Sequence, residues 1–83
     1  MMTLREQLIL VSDGYGLARG LGRQRVSTIV LNRGSTLDGV ASGEKDVTTG
    51  TFERAMQWFS DNWPEGTEWP LDVQRPERSR EAA

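Results

Sequence analysis

Neither cysteine nor histidine occurs anywhere in the chain, and this double absence narrows the possible folds more than any other feature. It removes disulfides, thiolate nucleophiles and the usual zinc, haem and iron–sulfur ligand sets together, so apolar side chains must hold the fold unaided. The chain has 83 residues, enough for one core. A domain this small hides only about 60% of the surface its unfolded chain exposes, which leaves little room for an enclosed catalytic cavity. No cofactor and no small-molecule substrate are expected. No apolar run approaches the ~18 residues needed to cross a bilayer, and no basic stretch precedes an apolar one at the N-terminus. Neither a membrane span nor a signal peptide is expected, and the cytoplasm is the default location.

The apolar residues recur at helical spacing. Thr3 followed by Glu6 is a capping-box pattern, in which each side chain satisfies an otherwise orphaned backbone N–H. A first helix is expected from there to about Val11, with Leu4, Leu8 and Val11 on its buried stripe. Ser12 and Asp13 offer a cap for a short second helix to Arg19, with Tyr15 and Ala18 inward. Gly20-Leu21-Gly22 then makes a sharp corner, because glycine enters the left-handed region without steric cost. A third helix follows from about Arg23 to Asn32. Val26, Ile29 and Val30 form its expected inward face, and Gln24, Ser27, Thr28 and Leu31 point outward. Leu37 to Ala41 adds a further helical turn, and residues 42–46 read as a loop. Thr48 or Thr49 caps a last helix carrying Phe52, Ala55, Met56 and Phe59, which Pro64 ends. The expected fold is all-α, four or five helices over residues 1–70. Residues 71–83 are mostly charged and are expected to form a flexible, disordered tail.

The net charge of −2 conceals an uneven distribution. Residues 14–36 carry Arg19, Arg23, Arg25 and Arg33 and no acid, giving +4, whereas residues 1–13 sum to −1 and residues 37–83 to −5. Local potential decides where a phosphate backbone docks, so the middle segment is the candidate contact.

The run from Tyr15 to Ile29 resembles the helix-turn-helix of the lambda-repressor and Cro-like family. The family places a small residue four positions before the turn glycine, matched by Gly16 and Gly20. An apolar residue after that glycine and two on the second helix follow, matched by Leu21, Val26 and Ile29. Alanine is commoner at the place of Gly16, and a capping Ser or Thr at that of Gly22. The likeness extends over about residues 3–62. It implies a compact four- to five-helix domain that binds double-stranded DNA as a homodimer and regulates transcription, as such proteins do in phages and other mobile elements. It also implies base reading by Arg23, Gln24, Ser27 and Thr28. The chemistry agrees, since Arg suits guanine, Gln suits adenine, and Ser or Thr adapts to either base or phosphate. Leu31 is placed to touch a thymine methyl. Arg19, Arg25 and Arg33 flank that face and suit phosphates.

Other features invite less. Trp63 and Trp69 immediately precede Pro64 and Pro70 and are expected to fold the C-terminal segment onto the core. Trp58 lies off the apolar stripe of its helix and is the expected dimer contact. Glu44, Asp46, Glu53 and Asp61 are scattered and lack a neighbouring histidine, so no enzyme is expected. The glycines follow no strand and make no phosphate-binding fingerprint. Two alternatives remain, a protein-binding adaptor using Trp58 and the acidic C-terminal half, and an architectural or recombination-directing DNA binder.

Overall fold

The capping box forms as the sequence requires. The Thr3 hydroxyl accepts from the Glu6 N–H at 3.1 Å, and the Glu6 carboxylate accepts from the Thr3 N–H at 2.8 Å. That second bond holds the Glu6 carboxyl below its ordinary pKa, since it favours the charged form. The structure, a computed structural model, describes residues 2–79. It contains α1 (Leu4–Arg19), α2 (Arg23–Leu31), α3 (Thr36–Ser42) and α4 (Thr49–Asn62), with no strand among the described residues.

Helix α1 corrects one expectation. Ser12 and Asp13 do not start a second helix, so the described residues form four helices, the lower of the two expected counts. Leu8, Val11, Ser12 and Tyr15 fall on one buried face at spacings of three and four, and a break at Ser12 would lift Tyr15 out of the core. Ala18, expected inward, is exposed. The helix ends where Gly20 turns left-handed at φ 70°, its N–H donating to the carbonyls of Gly16 and Leu17.

The next two helices also end on left-handed residues, Asn32 at φ 62° and Gly43 at φ 86°. Helix α4 differs. Thr48 caps its start by accepting from the Thr51 N–H, and Trp63, just before Pro64, leaves it in extended conformation. The core gathers Leu8, Val11 and Tyr15 from α1, Val26 from α2, Leu37 from α3, and Ala55, Met56 and Phe59 from α4.

Trp63 and Val73 complete that core from beyond α4, at 8% and 4% exposure. The Trp63 indole donates to the Thr67 carbonyl and the Trp69 indole to that of Val73, so two turns fold the chain back as the tryptophans suggested. The flexible-tail expectation began at residue 71. Residues 71–79 form neither helix nor strand, yet they are tied to α4. Arg75 donates to the Ser60 hydroxyl and carbonyl at 3.1 and 2.7 Å, Ser60 donates to the Pro76 carbonyl, and the Ser79 N–H donates to Asp61 at 2.6 Å. Arg75 also stacks 5.4 Å from the Trp69 ring centroid. One buried valine and a fully buried serine needing a partner give this polar segment its anchor. Residues 80–83 lie outside the described residues.

Candidate nucleic-acid interface

Two corners set the orientation of α2. At the first, α1 approaches so closely that the Leu21 N–H donates to the Gly16 carbonyl at 2.7 Å. A Cβ at residue 16 would lie 2.6 Å from the Leu21 carbonyl oxygen, so this position takes glycine. At the second corner, the Ser27 hydroxyl donates to the Arg33 carbonyl and accepts from the Leu37 N–H, closing the connection between α2 and α3.

Those bonds rotate α2 from its expected phase. Ser27 is fully buried and unavailable to a base, contrary to expectation, because a hydroxyl spent on two backbone groups must face the corner. Val26 is buried beside it, and Val30 and Leu31 pack partly against the core. Leu31 therefore faces the protein rather than outward. Ile29, expected inward, is 42% exposed. The outer face comprises Gln24, Arg25, Thr28 and Ile29, residues that one helical turn brings together.

Arg23 is also occupied. Its guanidinium grips Asp13 of α1 through Nε at 3.1 Å and Nη2 at 2.7 Å, and reaches Asp38 of α3 at 3.4 Å. Its hydrogen bond to the Asp13 carboxylate leads the causes that raise its pKa further. At one-third exposure such a pair adds at most about 1 kcal/mol, but it fixes where the side chain points. It also offsets two carboxylates that would otherwise stand near the start of α2, where the helix carries no side-chain cap.

Arg19, Arg25 and Arg33 are exposed and make no salt bridge among the described residues. Gln24 is exposed, and Thr28 donates its hydroxyl to the Gln24 carbonyl at 3.1 Å. Thus Gln24, Arg25 and Thr28 share a face, Arg19 and Arg33 lie at the ends of α1 and α2, and Arg23, Ser27 and Leu31 serve the fold. The sequence reading missed Ile29. Local spacing carries no signal for it, since Val26, Ile29 and Val30 follow the i, i+3, i+4 pattern of an inward stripe.

Trp58 is half-buried, with its ring 5.3 Å from Tyr15 and 5.5 Å from Phe59, both edge-on. It belongs to the aromatic cluster as much as to the surface. An open groove of about 620 Å³ runs between α1 and α3, past Ile9, Leu10, Val40 and Ala41. Among the described residues, no helix is long and apolar enough to cross a membrane. The described residues define a small all-helical fold in which two consecutive tight corners join α1 to α2 and α2 to α3. No protein family, curated protein or solved structure matches the chain.

Proposed function

We propose that this protein binds double-stranded DNA in a sequence-selective way and regulates transcription, presenting the outer face of α2 to the major groove. One observation carries the reading. That face holds Gln24, Arg25 and Thr28 and no acid, Arg19 ends α1 and Arg33 lies in the turn just after α2, and Arg23 engages the two carboxylates that reach the start of α2. Arg25 and Gln24 are the base readers in this arrangement, bidentate groups suited to guanine and adenine. Arg19 and Arg33 contact phosphates.

An electrophoretic shift with a random DNA pool tests it. Retention should be sequence-selective and should weaken with salt. Arg33→Ala should weaken all sequences alike and lower the salt slope by about one, whereas Gln24→Ala should relax preference at one base pair. Salt-sensitive retention without selectivity would favour an architectural role. Absence of retention would favour an adaptor, for which the apolar groove between α1 and α3 is the surface on view.

A second reading within the same function rests on the α2–α3 corner, which Ser27 closes from both sides. It makes α3 the groove helix, with Ala41 and Ser42 outward and Arg25 and Arg33 on phosphates. Loss of base preference on substituting Ser42, with none on substituting Gln24, would select it. A homodimer on half-sites about 10 base pairs apart completes either reading, since one helix reads too few base pairs for selectivity in a genome. Sedimentation of the wild-type protein with and without selected DNA tests that stoichiometry.

A further inference from the structure

We propose that Ile29 reads the 5-methyl group of a thymine in the major groove. The inference rests on the DNA-binding reading and deepens it. Ile29 is the one large aliphatic side chain on the outer face of α2, at 42% exposure, with Arg25 one helical turn before it and Thr28 adjacent. Its neighbours leave the apolar role open. Gln24 and Arg25 are hydrogen-bonding groups, and the Thr28 hydroxyl proton is already committed to the Gln24 carbonyl. The major-groove edge of thymine offers a carbonyl acceptor and a methyl group, and an apolar group gains from covering the methyl, the gain being larger for Ile29 than for the single methyl of Thr28. A β-branched residue suits that task, because few rotamers are lost when it is pressed against a base. Leu31 is packed toward the core and is unavailable for it.

The test uses the full chain and the DNA sequences that it selects from a random pool at about 0.1 M salt. Each thymine of the selected site is replaced in turn by deoxyuridine, which removes the methyl and nothing else. At one position in each half-site the replacement should weaken wild-type binding about four-fold, the loss expected for one buried methyl. Ile29→Ala should bind the thymine and deoxyuridine sites equally, and Ile29→Val should keep part of the discrimination. Circular dichroism should show both variants folded, as a half-exposed position allows. If every replacement leaves wild-type binding unchanged, or if Ile29→Ala loses as much as the wild type, the inference is overturned while DNA binding stands. A pool that yields no preferred sequence overturns the inference and the sequence-selective reading together.

Discussion

A single hydrogen atom decides residue 16. The Gly16 carbonyl accepts from Leu21, and a Cβ there would sit 2.6 Å from the Leu21 carbonyl oxygen and 3.2 Å from a Val26 methyl. Helix propensity favours alanine over glycine by about 1 kcal/mol, but backbone crowding of this kind costs about 1–3 kcal/mol. Gly16→Ala should therefore lower stability despite its better propensity. Gly14 is the control, because a Cβ there meets only the Trp63 ring at an ordinary 3.5 Å. Gly14→Ala should be neutral or stabilising by up to about 1 kcal/mol. Urea unfolding of the two variants checks the contrast, and equal effects would show that the close approach at the corner does not constrain residue 16.

At the scale of helices, the N-terminus of α1 couples stability to pH. The Glu6 pKa is lowered in the folded state by the Thr3 N–H, so the bond's contribution is present above the unfolded carboxyl pKa and is lost as pH falls through the depressed folded value. Glu6→Gln keeps a capping acceptor that does not titrate. Its melting temperature should fall less than that of the wild type as pH drops from neutral into the carboxylate range, and parallel curves would remove Glu6 from the acid response. This cap was legible in the sequence because both its partners are local. The limits of α1 and the phase of α2 were not, for one physical reason. Ser12 and Ser27 are residues that local rules assign to caps or exposed faces, and tertiary burial overrides both. Ser12 continues the buried stripe of α1, and Ser27 is drawn inward by backbone groups of Arg33 and Leu37, which lie beyond the end of α2. The rotation this imposes exchanges Ile29 for Leu31 and withdraws Ser27 from the candidate site. Arg23 left it for a similar reason, since nothing in the spacing shows that Asp13 and Asp38 converge on its guanidinium.

The molecule as a whole is closed by chain that resembles a tail in composition. Val73, the Arg75 bonds to Ser60 and the Ser79 bond to Asp61 bind the last described residues to α4. Ending the chain after Trp69 removes a buried valine, worth about 1.5–3 kcal/mol, and strips Ser60 of its partners. The midpoint of thermal unfolding should drop by about 10 °C or more, given about 4–8 °C per kcal/mol for a domain of this size. An unchanged midpoint would show the segment to be ornamental. The same closure has an optical consequence. All three indoles lie on α4 or just after it, none on α2, and two of them donate to carbonyls within the returning segment. Intrinsic emission therefore monitors how residues 63–79 lie against α4. Peeling that segment away shifts the emission to the red before the helical signal changes, whereas a duplex docked on α2 leaves the spectrum unmoved, so following occupancy of that face requires a dye placed there.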